Sequence, residues 1–293
     1  MKAVILAGGT GSRLFPLTLN TNKHLLNAYF QPIINYPLMS LMAAGYNEVI
    51  FVSNPGDLCS FRHLFGDGSQ LGMKFDYAPQ KIAGGLPHAI ASVRKYIRNE
   101  PFAVMLGDTY FQANEFKKII LNDNKKALNL GSTILLVKVP DGRSYGVVKI
   151  RNRKILELVE KPNSKIFGRK DFAMGGFYIF DQNVFDYIDL LSPSKRGELE
   201  MVDLLTSYLS QNYLNHLIFP SRKYWYDFGN IHDLHNSAMR ISKSKLPVFT
   251  PEYLAFKNRW ITIDELLTIL DKYPVSFYKT HIFKLLKLDF QDY

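Results

Sequence analysis

Leu6-Ala7-Gly8-Gly9-Thr10-Gly11-Ser12-Arg13-Leu14 follows at once on an apolar run, Ala3–Ala7, and the reading of this junction decides the fold. Glycines let the backbone come close to a phosphate chain, and successive amides can point into one anion nest. The stretch is not the lysine-ending phosphate loop, because no Gly-Lys-Ser/Thr follows. Nor is it the dinucleotide fingerprint, because Arg13 and Leu14 stand where a third glycine is required. Arg13 offers instead a planar, permanently charged, bidentate donor of the kind a triphosphate tail takes. A bare Gly-x-Gly is more often an ordinary turn; Arg13, and Lys23 downstream, favour phosphate.

Working outward, Ala3–Ala7, Val49–Ser53 and Ala103–Leu106 have the Val/Ile/Leu character of strands buried on both faces. Amphipathic stretches at Pro37–Ala44, Leu58–Phe65 and His88–Ile97 predict crossover helices between them. This rhythm predicts an α/β fold, Rossmann-like, with a mostly parallel sheet flanked by helices. The glycine turn then sits at the carboxyl edge of the sheet, where open α/β folds bind ligands. From about residue 131 the connections shorten, and Ser132–Val139, Gly146–Ile150, Lys154–Val159 and Met174–Phe180 predict strands that make the sheet mixed. Helices follow at Gln182–Leu190 and Met201–Gln211. Beyond Leu246 strand signals stop, and helices are expected near Pro251–Phe256, Ile263–Lys272 and Ser276–Lys287. The expected division is 1–245 for the α/β domain and 246–293 for a helical C-terminal region.

The 293 residues are 47 % apolar and 21 % charged, which excludes disorder as the main state. A single cysteine, Cys59, excludes an internal disulfide framework and a Cys-based zinc site. No stretch reads as a signal peptide or a membrane span, so no membrane partner is expected and the cytoplasm is the expected location. His24, His63, His88, His216, His232, His235 and His281 lack metal-ligand spacing, and Ser12 has no triad partner in view. The formal charge is +10, and it is regional: residues 81–170 hold eighteen of the 36 basic residues against seven acidic ones. Lys117-Lys118, Lys125-Lys126, Lys149/Arg151/Arg153/Lys154 and Lys165/Arg169/Lys170 would be the footprint of a nucleic acid. Spacing by two puts Lys149, Arg151 and Arg153 on one strand face. No recognised nucleic-acid module accompanies them, so nucleic acid is not the expected partner.

Several motifs recur in order: Leu6 to Thr18, Lys23, Pro32-Ile33-Ile34-Asn35-Tyr36-Pro37-Leu38, Phe65 to Gly72, Gly107-Asp108 and Tyr145-Gly146-Val147-Val148. Glu160-Lys161-Pro162, Arg196-Gly197-Glu198-Leu199-Glu200 with Asp203, Trp225-Tyr226-Asp227 and Pro251 to Phe256 complete the series. With these motifs the chain resembles the sugar-nucleotide pyrophosphorylases over essentially its whole length, and most narrowly their short bacterial glucose-1-phosphate thymidylyltransferases. The resemblance implies a nucleotide half at about 1–130 and a sugar half at about 131–245. It also implies transfer of a nucleotidyl group from dTTP, or UTP, to glucose 1-phosphate, with pyrophosphate leaving. Such an attack brings two anions together, so cations and a divalent ion held by carboxylates suit it. Asp108 and Asp227 each follow an apolar or aromatic run, as strand-end carboxylates do, and the resemblance implies that they hold Mg²⁺.

By the same resemblance Leu6, Gly8, Gly9, Gly11, Ser12, Arg13, Lys23, His24, Gln80, Gly85 and Asp108 are expected at the nucleotide. Gly146, Glu160, Lys161, Met174 and Arg196 are expected at the sugar phosphate. Arg13, Lys23, Asp108, Lys161 and Asp227 form the expected catalytic set. A homotetramer and a supply of activated glucose for rhamnose or deoxysugar synthesis are implied as well. The departures lie beside these positions. The family typically has Lys-Gln at Lys23-His24, Leu-Leu-Pro at Leu25-Leu26-Asn27, Asp-Lys-Pro at Phe30-Gln31-Pro32 and Ala-Gln-Ala at Pro87-His88-Ala89. It typically has Asn at Thr109, Thr-Gly at Gly175-Gly176, and Asp-Thr-Gly at Asp227-Phe228-Gly229. Each charged position assigned to phosphate or metal is kept. The drift motivates one alternative of another class, a non-catalytic sugar-nucleotide-binding homologue, and the kept charges argue against it.

Overall fold

The computed structural model describes residues 1–98, 100–127, 131–162 and 172–291, with the side chains of 122–127 and 289–291 left aside. Strands β1 (Ala3–Leu6), β2 (Asn27–Ala28) and β3 (Gln31–Pro32) precede helix α1 (Asn35–Ala43). Then come β4 (Glu48–Ser53), α2 (Leu58–Phe65), β5 (Lys74–Pro79), α3 (Leu86–Ala91), β6 (Phe102–Leu106), β7 (Thr109–Phe111) and α4 (Ala113–Ala127). The second half runs β8 (Ser132–Lys138), β9 (Gly146–Arg151), β10 (Lys154–Glu160), β11 (Phe172–Phe180), α5 (Val184–Asp189), α6 (Met201–Ser210) and β12 (Leu214–Ile218). It closes with β13 (Trp225–Asp227), α7 (Ile231–Ser242), α8 (Pro251–Lys257), α9 (Ile263–Asp271) and α10 (Phe277–Gln291).

The main sheet has the order β10-β9-β11-β6-β1-β4-β5, with β8 on the other side of β11 and β12 beyond it. β1 lies parallel between β4 and β6, and β5 extends the parallel half. β11 is antiparallel to β6, β8 and β9. This is the mixed, mostly parallel sheet with flanking helices that the strand rhythm predicts. Alternation along β1 sends Val4 and Leu6 to one face and Ala3 and Ile5 to the other, into two separate apolar cores. Because both faces are covered, the short strand is wholly apolar.

Element ends follow local chemistry. The helix expected over His88–Ile97 instead starts at Leu86, with Pro87 in its first turn, and ends at Ala91 before a tight 3₁₀ turn, Arg94–Tyr96. Ser92 at its end returns its hydroxyl to the His88 carbonyl at 3.2 Å, a bond that competes with helix continuation. Strands β5 and β12 and helices α4 and α7 add to the elements read from the sequence. The expected face of three cations is broken: Lys149 and Arg151 lie on β9, but Arg153 sits in the turn to β10 at φ 60°. Lys165, Arg169 and Lys170 lie outside the described residues, as do the side chains of Lys125 and Lys126.

The C-terminal helices are locally well specified. Thr250 caps α8 with Pro251 in its first turn, and Thr262 and Glu265 form a reciprocal capping box on α9. Asn258 donates to the Met42 carbonyl at 2.8 Å, tying α8 to the end of α1. Gly72, at φ 62°, lets the chain pass the Trp260 backbone, where a β carbon would collide. No helix among the described residues is long and apolar enough to cross a membrane.

Glu252 is buried on α8 and accepts from the hydroxyls of Tyr273 at 2.7 Å and Tyr278 at 2.8 Å. Burial, and then the Glu252 charge, push both phenols well above their ordinary pKa, so both stay donors. Glu252→Leu leaves two donors without an acceptor. It should lower stability by about 1–3 kcal/mol per orphaned hydroxyl, read by urea unfolding; an unchanged midpoint would refute this.

Candidate active site

Beyond β1 the chain turns through Gly9 (φ 95°) and Gly11 (φ 65°), a left-handed path that side chains other than glycine resist. Gly8 leaves room for a side chain instead. A β carbon there would lie 2.5 Å from the side-chain oxygen of Gln80, which enters from the end of β5. Gln80 in turn donates its amide to the Gly85 carbonyl at 3.3 Å. Gly85, at φ 92°, passes so close to Leu199 that a β carbon would collide with its carbonyl, and the two residues form a backbone bridge. That bridge joins the loop before α3 to the loop before α6 across the cleft.

Opposite, the short antiparallel ladder of β7 and β13 pairs Thr109 with Asp227 and Tyr110 with Tyr226. Phe228 donates its amide to the Asp108 carbonyl at 2.9 Å, continuing the ladder past the strand end. Asp108 and Asp227 are thereby set side by side. A β carbon on Gly229 would lie 3.0 Å from Asp227 Oδ1, 3.5 Å from Arg13 Nη2 and 3.7 Å from Asp108 Oδ2. One point therefore sees both carboxylates and the loop arginine. Lys23 Nζ bonds Asp108 Oδ2 at 2.5 Å. Behind the pair, Ser237 on α7 donates to the Asp227 carbonyl at 2.8 Å, and the Tyr145 hydroxyl bonds the Asp227 carboxylate.

The two acids titrate in opposite directions. Burial works to raise Asp108, but the charge and hydrogen bond of Lys23, aided by Arg13, outweigh it and hold the group at about 2. Asp227 has no cation so close. Burial first, and then the Asp108 charge, push it up to about 7.

On the far wall, Glu160 ends β10 and Lys161 follows at φ 42°, a strained conformation worth about 1–3 kcal/mol. The Lys161 amide donates to the Tyr145 carbonyl at 3.1 Å, which holds that turn. Lys161 Nζ lies 3.3 Å from Glu160, and Arg196 lies 3.7 Å from Glu160 and 2.7 Å from Glu200. Gly146 leaves room for the Met174 methyl, and its missing β carbon would lie 3.2 Å from Glu160 Oε2.

These walls enclose one cleft of about 380 Å³. Leu6, Gly8, Gly9, Arg13, Lys23, Gln80, Gly85, Asp108, Gly146, Glu160, Lys161, Met174, Arg196 and Asp227 all line it. Gly11, Ser12 and His24 do not. His24 is buried beneath Gly107, where a β carbon would lie 2.7 Å from its ring, and its Nδ1 meets Asn22 Oδ1 at 2.7 Å. Burial, then Lys23, lowers its pKa to about 3, so the ring is neutral. Its place is under the site rather than in it.

Tyr145, Tyr178, Trp225, Glu198 and Glu200 line the cleft without having been singled out as site residues. The Trp225 indole donates to the Gly175 carbonyl at 3.0 Å and its ring meets Tyr145 edge-on at 5.4 Å. A signal for it existed: two residues before Asp227 on a strand, Trp225 shares its face.

Residues 2–244 match the family model described as nucleotidyl transferase. A glucose-1-phosphate thymidylyltransferase of Neisseria meningitidis serogroup A is 32 % identical over 292 residues, 98 % of this chain and 100 % of the relative. Another, from Xanthomonas campestris pv. campestris, is 35 % identical over 271 residues, 90 % of each chain. A solved Bacillus anthracis structure, described as a glucose-1-phosphate thymidylyltransferase in complex with a sucrose, is 33 % identical with a TM-score of 0.74, covering 84 % of this chain and 97 % of that one. A UDP-glucose pyrophosphorylase complexed with UDP-glucose, 24 % identical with a TM-score of 0.71, shares the fold over 83 % of this chain and 98 % of its own.

The raised Asp227 has a measurable consequence. A carboxyl whose folded pKa lies above its unfolded value of about 3.9 stabilises the fold fully at low pH and loses that contribution as pH rises through about 7. In metal-free buffer, stability should therefore fall between pH 4 and pH 7, and Asp227→Asn should flatten the fall. Parallel wild-type and variant profiles in urea titrations would contradict the assignment.

Proposed function

Since the chain belongs to the nucleotidyl transferase family, we propose that it joins dTTP to glucose 1-phosphate, giving dTDP-glucose and pyrophosphate. The observation that carries this reading is the single cleft in which Arg13, Lys23, Asp108 and Asp227 face Glu160, Lys161 and Arg196. A nucleoside triphosphate at the glycine loop places its phosphates against Arg13 and Lys23. The base meets the Gln80 amide and the backbone at Gly85. Glucose 1-phosphate lies on the other wall, its hydroxyls donating to Glu160 and its phosphate held by Lys161 and Arg196. The attacking phosphate oxygen then approaches the α-phosphorus in line, and the chain's work is orientation and charge.

Asp108 and Asp227 fit a divalent ion. Their oxygens converge near Gly229, and among the described residues no third metal-binding side chain joins them. Two carboxylates with the remaining places left to phosphate oxygens and water is the arrangement Mg²⁺ takes. Bound there, Mg²⁺ supplies positive charge to the reacting phosphates. Burial first, and then the neighbouring Asp108 charge, raise the pKa of Asp227, and a cation bound between the two carboxylates would relieve the second of these.

Lys23 and Arg196 are each held by a carboxylate yet keep further N–H donors, so substrate phosphate can be met without breaking these contacts. A tetramer, a cytoplasmic location, a supply of activated sugar for rhamnose synthesis, and the division at residue 245 belong to the same proposal, resting on the sequence resemblance.

Pyrophosphate release should be measured with dTTP, UTP, CTP and GTP against glucose 1-phosphate, with Mg²⁺ and with EDTA. Turnover with dTTP or UTP, abolished by EDTA, is expected; no turnover with any of the four would sink the reading. Thymine and uracil differ by one methyl, a discrimination of only about 1–3 kcal/mol, so some activity with both is expected. Lys161→Ala should lower kcat/KM for glucose 1-phosphate about tenfold to a hundredfold, the worth of a charged hydrogen bond. Gly8→Ala displaces the Gln80 side chain, and should raise KM for the nucleotide while leaving that for the sugar phosphate unchanged.

A further inference from the structure

The densest group of unabsorbed cations lies away from the catalytic cleft. The sheet curls around α6, which packs on both β10 and β12, until these two outer strands touch. Their seam stays open as a cavity of about 540 Å³ that shares no residue with the catalytic cleft. Arg153 enters it from the β9–β10 turn, Lys154 from the start of β10, Asn212 from beyond α6, and Asn215 and His216 from β12. Ile155 and Leu214 give it an apolar side, and no Asp or Glu among the described residues lines it.

Three further observations single out this cavity. Arg153 and Lys154 have no ion pair among the described residues, whereas in the catalytic cleft Lys23 and Lys161 each have one and Arg196 has two, and Arg13 alone of the four cations assigned to phosphate has none among the described residues. Thr133, which also lines the cavity, keeps a buried hydroxyl without a hydrogen-bond partner. The turn that presents Arg153 has φ 50° at Asn152 and φ 60° at Arg153. Such a two-residue hairpin turn favours Asn followed by Gly; an arginine takes the glycine place here, at a steric cost that glycine avoids. His216 is half-buried, and that burial lowers the pKa of its ring.

We propose that this seam cavity is a second ligand site, for a small phosphate-bearing molecule of about nucleotide size. Arg153 and Lys154 hold the phosphate, the Asn212 and Asn215 amides meet polar edges of the ring body, and Ile155 and Leu214 cover its apolar part. The volume suits such a ligand, since small-molecule pockets run from about 300 to 1,000 Å³. This site is independent of the proposed reaction, and neither needs the other to be right.

Isothermal titration calorimetry of the full chain with AMP, UMP and inorganic phosphate tests it. Binding of at least one nucleotide should survive Arg13→Ser/Lys23→Ser, which removes the two cations placed at the nucleotide phosphates in the catalytic cleft. It should weaken at least tenfold in the double variant Arg153→Ser/Lys154→Ser, whose nucleotidyl transfer rate should equal that of the wild type. Asn215→Trp fills the cavity without changing charge and should weaken binding as much; Lys117→Ser/Lys118→Ser, outside the cavity, should not. Binding lost in Arg13→Ser/Lys23→Ser but kept in Arg153→Ser/Lys154→Ser would put the ligand in the catalytic cleft and overturn the proposal. So would an Asn215→Trp variant that binds like the wild type, or no heat from any nucleotide at millimolar concentration.

Discussion

Two carboxylates held side by side against their mutual repulsion are the constraint on which the rest of the site depends. Asp108 leaves the end of β6, Asp227 ends β13, and a three-residue ladder with β7 fixes their separation. Lys23 neutralises one member at 2.5 Å. The other is left with burial and a neighbouring charge that both favour its protonated form. Such a pair is costly unless a cation comes between its members, so the fold stores a demand for positive charge where the phosphates react. Ser237 from α7 and the hydroxyl of Tyr145 secure Asp227 from behind. A strand of three residues thus gains the rigidity that its own ladder does not supply.

The same economy appears around the cleft. Three of the four cations assigned to phosphate are held by carboxylates: Lys23 by Asp108, Lys161 by Glu160, and Arg196 by Glu200 and Glu160. These contacts orient the donors before a substrate arrives, and orientation is most of what this chemistry asks of a protein. The Gly85–Leu199 bridge ties the wall assigned to the base to the loop before α6, so the two loops share one position. The charge surplus of +10 is largely a separate matter. Of the four cations assigned to phosphate, only Lys161 comes from the segment rich in Lys and Arg, and Arg153 and Lys154, without an ion pair among the described residues, mark a different cavity.

Much of the parallel half was legible in the sequence, because buried strands and crossover helices carry strong periodic signals. Leu58–Phe65 forms as expected, and β1, β4 and β6 agree with expectation to within a residue. Elements without a strong pattern were harder. β7 and β13 are three residues each, too short for a period, and β12 mixes half-buried and exposed positions at the sheet's margin. His24 shows the limit for side chains. Next to Lys23 in sequence, it turns under Gly107 and becomes a neutral packing group, because burial and Lys23 both disfavour its charge. Arg153 shows the limit for spacing, since the strand ends before it.

The sequence by itself determined much of the parallel half, the glycine loop and its arginine, and the family to which the motifs belong, because each is written in neighbouring residues. Only the tertiary structure decided that Asp108 faces Asp227, that Gly8 makes room for Gln80, that Gly85 abuts Leu199, and that Trp225 and Glu200 share the cleft. These are contacts between residues far apart along the chain, and their distances are set by sheet order, strand register and packing. No local pattern encodes them, since each residue's own preferences are satisfied equally well by other partners.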